Sequence, residues 1–162
     1  MEKEYFTPDI SELYQGYECE WFGQVNLAAV KKESWIPTKI HSSWNEPGKN
    51  IPFNRAYKEI QAGRLRTPKL TIEELEYHGY WPTDHSKKVQ IAVKTFPGIL
   101  DALQYDYEVF YIEKMSYMEI KKTTTGGYGG QTTVEVIFKG TCKSINEFKK
   151  LEEWFGMRIA YC

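Results

Sequence analysis

The chain is poor in cysteine. Cys19, Cys142 and Cys162 lie far apart and form no C-x-x-C pair. An odd, dispersed set argues against a disulfide framework and for reduced thiols in a cytosol-like compartment. Cys19 and Cys142 are expected to be small core residues beside strands, and Cys162 to fray at the end of the chain. An excess of one charge is also lacking: 21 Lys and Arg face 22 Asp and Glu, a formal net charge of −1. That balance argues against a general nucleic-acid coat protein, whose affinity comes from surplus cations. No run approaches the roughly 18 apolar residues of a membrane-spanning helix. The charged opening, residues 1–5, lacks the apolar stretch of a secretory signal. A cytoplasmic, non-membrane protein is therefore expected. Internal repeats and low-complexity tracts are absent from the sequence as well.

Aromatic residues are plentiful: 12 Tyr, 8 Phe and 5 Trp in 162 positions, within a 41% hydrophobic composition. Such a chain can build a core, which excludes wholesale disorder. The length predicts a single domain over 1–162, with an N-terminal arm or single turn (1–16), a long loop (41–53) and a glycine-rich hairpin tip (126–130). Residues 17–22 alternate, with Tyr17, Cys19 and Trp21 on one face and Glu18 and Glu20 on the other, the mark of a half-buried strand. Residues 34–40 form a second strand that Pro37 makes an edge or bulged one. Residues 26–32 are ambiguous between helix and loop. A short helix is expected over 54–62, with Tyr57 and Ile60 on one side and Gly63 as its stop. Thr71 and Glu74 form a capping box for a brief helix that ends at Gly79. Four alternating segments then follow, at about 88–97, 107–112, 117–125 and 132–139, joined as an antiparallel meander. Ser144 and Glu147 form a second capping box. Behind it Ile145, Phe148, Leu151 and Phe155 share a stripe, with Lys149, Lys150, Glu152 and Glu153 mostly outside. A short return strand is expected over 157–161. The sum is an α+β fold: a mostly antiparallel twisted sheet of about five to seven strands with two or three short helices on one face.

Chemistry-bearing motifs are sparse. The segment 123–131 is rich in glycine, but no Gly-Lys-Ser or Gly-Lys-Thr follows and the next element alternates like a strand. It therefore reads as a hairpin tip rather than a phosphate loop. A ligand site there would use Gly126, Gly127 and Gly129 together with Arg64 or Arg66, and would suit a nucleotide or other small ligand. His78 and His85, with Glu76 and Asp84 nearby, are too widely spaced for a zinc motif, so no metal site or cofactor is expected. Glu119 and Lys121 are two apart on a strand, like the E-x-K element of restriction-type nucleases. With Asp106 (or Asp101) they are the trio a metal-dependent nuclease would need. Glu18 and Glu20 share a strand face, which suits a solubilising edge better than a cleft pair. The basic run 64–69 lacks a recognition helix or an aromatic platform. Trp35, Trp44 and Trp81 fall in or beside loops and strand ends. With Tyr128 at the glycine tip, Trp44 and Trp81 are the expected binding residues, since exposed rings are the usual anchors of an interface.

Residues 5–18 (YFTPDISELYQGYE), 70–75 (LTIEEL) and 138–148 (FKGTCKSINEF) are similar to the opening, middle and closing segments of small proteins encoded by bacteriophages and prophages of Bacteroidota. The three blocks keep their order and cover about a fifth of the chain. The resemblance implies a mobile-element protein made in a bacterial cytoplasm and carries no catalytic motif. Residues 23–63 and the tip 126–130 lie outside it. The expected function is that of a non-enzymatic accessory protein that binds another protein, as a host-defence inhibitor or a minor virion component. Self-association is compatible with the same reading. The alternatives are the metal-dependent nuclease and the nucleotide or small-ligand binder.

Overall fold

A computed structural model describes residues 3–27, 30–41, 50–82, 90–97, 103–126 and 130–157. The class is α+β: the described residues form ten strands, three α-helices and two single turns of 3₁₀ helix. The strands are divided between two sheets of five rather than gathered in one, and the expected span of 1–162 falls into two compact units, Met1–Lys69 and Leu70–Cys162. Among the described residues, all pairing is antiparallel except one three-residue parallel contact.

The first unit holds β1 (Tyr5–Phe6), β2 (Glu18–Leu27), β3 (Val30–His41), β4 (Asn50–Pro52), α1 (Phe53–Gln61) and β5 (Leu65–Pro68), in sheet order β1-β5-β2-β3-β4. The alternation at 17–22 does form a strand. Tyr17, Cys19 and Leu65 are buried with Ile40, Ile51 and Ala56, and Trp21 and Ile60 pack against them. Several expectations are corrected here. The arm carries the expected single turn, as the 3₁₀ helix Ile10–Glu12 with an Asp9 capping box, but it also contributes a two-residue strand. Residues 26, 27 and 30–32 continue β2 and β3 instead of forming a helix or loop. Of the loop 41–53, His41 ends β3, Asn50–Pro52 is β4 parallel to Lys39–His41, and Phe53 opens α1. Residues 42–49 lie outside the described set. Pro37 faces Glu20 of β2, while β4 reaches only Lys39–His41. At Pro37 the other side of β3 therefore has no strand among the described residues, which is where a missing donor is tolerated. On α1 it is Ala56 and Ile60, four apart, that face the core; Tyr57 is exposed. Gly63 ends the helix at φ +68, a conformation that favours glycine.

The second unit holds α2 (Ile72–Tyr77), β6 (Trp81–Pro82), β7 (Gln90–Pro97), β8 (Leu103–Ile112), β9 (Tyr117–Gly126), β10 (Gln131–Thr141) and α3 (Ile145–Trp154). The sheet order β10-β9-β8-β7-β6 contains the expected four-strand meander. Its core gathers Leu70, Leu75, Tyr80, Tyr107, Val109, Tyr111, Met118, Ile120, Cys142, Ile145, Phe148, Leu151 and Met157. The α3 stripe is as expected, with Phe155 half-buried at its end. Glu152 is not outside: it is only 3% exposed and accepts a hydrogen bond from the Tyr80 hydroxyl at 2.9 Å. The Thr71 box on α2 is complete in both directions. The second box is half made, because Ser144 caps Glu147 N while the Glu147 carboxylate turns to the Lys143 amide at 2.6 Å. The return strand expected over 157–161 lies outside the described residues beyond Met157, which is buried. So do residues 98–102.

Phe148 is fully buried and meets Tyr80 edge-on at a centroid distance of 5.1 Å. Phe148→Ala is expected to destabilise the protein by about 3–5 kcal/mol, read as a lower urea midpoint with no compensating change in slope.

Candidate functional site

The face of the first sheet opposite α1 is organised by β2, β3 and β5. Alternation puts Glu18, Glu20 and Phe22 on that face, away from Cys19 and Trp21. Register sets Glu20 beside Arg66 and Phe22 beside Trp35. Arg66 donates from Nε and Nη2 to Glu20 Oε2 at 2.8 and 2.7 Å. Its guanidinium lies 3.5 Å from the Tyr5 ring centroid and 4.0 Å from that of Trp35. Tyr5 also donates to Glu20 Oε1 at 3.4 Å, and Phe22 packs on Trp35 at 5.3 Å. A planar, delocalised cation is the side chain that can stack on two rings and keep its fork on a carboxylate. Glu18 pairs with Lys39 at 3.2 Å. The two carboxylates thus neutralise two different cations and form no acid–base pair.

On the α1 side, Trp21 Nε1 donates to Glu59 Oε2 at 3.0 Å, and Arg55 is salt-bridged to Glu59 at 3.5 Å while lying over the Trp21 ring. A depression of about 420 Å³ adjoins them, lined by Pro52, Asn54, Arg55, Lys58 and Glu59.

In the second unit the nuclease residues lie on the open face of β8 and β9. Their neighbours Tyr107, Met118 and Ile120 point into the core. Glu119 is held between Lys139 of β10 at 3.1 Å and Lys121 at 3.5 Å. The hydrogen bond and charge of Lys139, helped by Lys121, hold the Glu119 carboxyl below its ordinary value. Asp106 stands opposite Thr123, four positions along β9 from Glu119, or about 13 Å by strand rise. The register therefore does not bring the three to one point. Among the described residues no group of three His, Cys, Asp or Glu side chains is placed to hold a metal ion.

Of the ligand residues, Arg64 is exposed and Arg66 is engaged as above; both belong to the first unit. Gly126 ends β9 in the second unit, and Gly127 and Gly129 lie outside the described residues. Of the binding residues, Trp81 is in β6 opposite Val93, and Trp44 and Tyr128 lie outside the described set. Trp35 sits inside β3 rather than at a loop. His78 caps the end of α2, His85 is outside the described residues, and His41 shares a hydrogen bond with Gln15. The Cys19 thiol is pushed up to about 12 by burial and by Glu20 and Glu18, and burial also pushes up the Cys142 thiol. Neither has the thiolate character a nucleophile needs.

Sequence reasoning missed the two most exposed rings among the described residues. Tyr77, the last residue of α2, is 89% exposed, and Trp154, the last residue of α3, is 73% exposed. Met115, in the 3₁₀ turn Glu113–Met115, is exposed as well. The signal was present: Trp154 falls off the Ile145–Phe148–Leu151 stripe, so an aromatic stands on the polar side of an amphipathic helix. No family model, curated protein or solved structure matches the chain. Among the described residues, no helix is long and apolar enough to cross a membrane.

Two substitutions test this description. Arg66→Lys keeps the charge but loses the fork and the stacking. It is expected to cost about 1–3 kcal/mol and to shift indole emission through Trp35. Glu119→Gln removes an acid whose folded value lies below its unfolded one, so its contribution is present above the ordinary 4.5 and lost as pH falls through the folded value. The variant should melt lower than the parent at neutral pH, and the gap should close in acid, as followed by circular dichroism.

Proposed function

We propose that this chain is a non-enzymatic binding protein whose target is another protein, acting in the bacteriophage or prophage setting that its three sequence blocks imply. A bacterial cytoplasm is the corresponding location. Host-defence inhibition and a minor place in a virion both fit this reading.

The observation that carries it is the exposure of Tyr77 and Trp154 at the ends of α2 and α3. Covering a large apolar side chain gains about 1.5–3 kcal/mol. Tyr and Trp are the residue types on which interface energy concentrates. Both rings are presented by helices docked on a packed core, so little ordering entropy is lost on contact. The charged side chains on the open sheet faces give further support. Glu20 is bound to Arg66, Glu18 to Lys39, and Glu119 to Lys121 and Lys139. These pairings describe stabilised surfaces rather than groups poised for reaction.

The test is affinity capture from cells that express the protein, comparing the parent with the Tyr77→Ala/Trp154→Ala double variant. A captured protein in comparable amount that falls about tenfold or more with the double variant is the expected result. Both side chains are exposed, so the variant should keep the parent's circular dichroism. Equal capture by parent and variant overturns the placement. Magnesium- or manganese-dependent DNA cleavage abolished by Glu119→Ala overturns the non-enzymatic reading.

A further inference from the structure

Strand edges differ across this molecule. β4 and β6 cover three and two residues of β3 and β7, and β1 closes its edge with two residues. The stretches of β3 and β7 that extend past those short neighbours carry Lys31, Lys32, Glu33 and Pro37, and Lys94 and Pro97. Lysine and proline are the usual means by which an edge refuses another strand. β10 is different. It is eleven residues long, ends its sheet, and pairs only with β9 among the described residues. Its first six residues, 131–136 (QTTVEV), are exposed on both faces and contain no lysine, no proline and one charge, Glu135. Val134 and Val136 are 63% and 49% exposed. The protective features begin only afterwards, with a register shift between Val136 and Phe138 and then Lys139.

We infer that residues 132–136 of β10 pair antiparallel with the same residues of a second copy of this chain, joining two five-stranded sheets into one of ten strands across a two-fold axis at Val134. Antiparallel pairing of an edge with itself is self-complementary, as an isologous contact requires. The exposed valines and the single charge together select the register. With Val134 on the axis, Glu135 faces Thr133 of the other copy and Val136 faces Thr132. An axis at Glu135 would set two carboxylates face to face, a destabilising arrangement. Glu135 keeps Lys122 opposite it on its own β9, so no like charges are opposed. The valines of both copies then cover one another on a single face. The contact is short, five residues or about 17 Å by strand rise, so the dimer is expected to dissociate in the micromolar range. It uses none of the residues on which the proposed protein-binding role rests, and either can fail alone.

Sedimentation velocity on the intact protein tests it. At concentrations up to roughly 100 µM the parent should approach twice 19.0 kDa. Val134→Lys places two ammonium groups on the axis and Val134→Glu two carboxylates. Each variant alone should stay monomeric with the parent's circular dichroism, and an equimolar mixture should recover the dimer. A parent that is monomeric throughout the range, or a Val134→Lys protein that dimerises like the parent, overturns the inference.

Discussion

A tyrosine can be buried only where its hydroxyl finds a partner, and both units are built on that requirement. In the first, the Tyr17 hydroxyl meets Thr67 Oγ1 at 3.0 Å, fixing β5 against the start of β2. In the second, Tyr111 reaches the carbonyls of Leu70 and Cys142 at 3.0 and 3.3 Å, and Leu70 N donates to the Lys143 carbonyl at 2.7 Å. One phenol thus ties β8 to the segment entering α2 and to the junction between β10 and α3. Burial pushes its hydroxyl acidity far from the neutral range, so it stays a donor. Tyr80 spends its hydroxyl on Glu152 and Tyr107 on the Phe155 carbonyl. Each bond fixes a register that apolar packing alone would leave free to slide, which is how short helices of six to ten residues are held on their sheet.

The same accounting explains why Glu152 is inside. By helical spacing it lies close to Phe148 and Phe155, and a phenol on the α2–β6 connection donates to the carboxylate there. Glu147 follows the same logic. It is placed for a reciprocal cap, but the exposed Lys143 amide is the better donor, so the Ser144 cap is completed by the hydroxyl alone.

Much of the fold was legible because local signals agreed. The alternation at 17–22, the meander from β7 to β10, the Thr71 capping box and the α3 stripe all reappear. What was not legible depended on partners distant in sequence. β5 reads as a basic run, since Arg64 and Arg66 hide the alternation of Leu65 and Thr67. Only β1 and β2 make it a strand. β4 is three residues that count as a strand solely because β3 lies beside them. The division into two sheets is likewise invisible along the chain, because Lys69 and Leu70 carry no linker-like composition. For the site, aromatic abundance was the informative feature. Trp35 stacks within a strand, whereas the rings of Tyr77 and Trp154 stand exposed at helix ends.

Two kinds of contact surface differ in what they recognise. An exposed ring at a helix end needs a pocket of matching shape, so its partner is chosen by side chains and specificity is high. An open strand edge offers backbone donors and acceptors that every chain possesses. Its selectivity must come from length, twist and the few side chains that flank it. In the second unit the Tyr77 ring meets His78 edge-on at 5.8 Å and is otherwise presented by its helix, as Trp154 is, whereas the edge has a built limit, the register shift after Val136. A bulge bends the strand and raises its twist, so a second strand can follow β10 only up to that point. The six-residue stretch before it is therefore a bounded surface, long enough to hold one strand in register and too short to seed an extended stack.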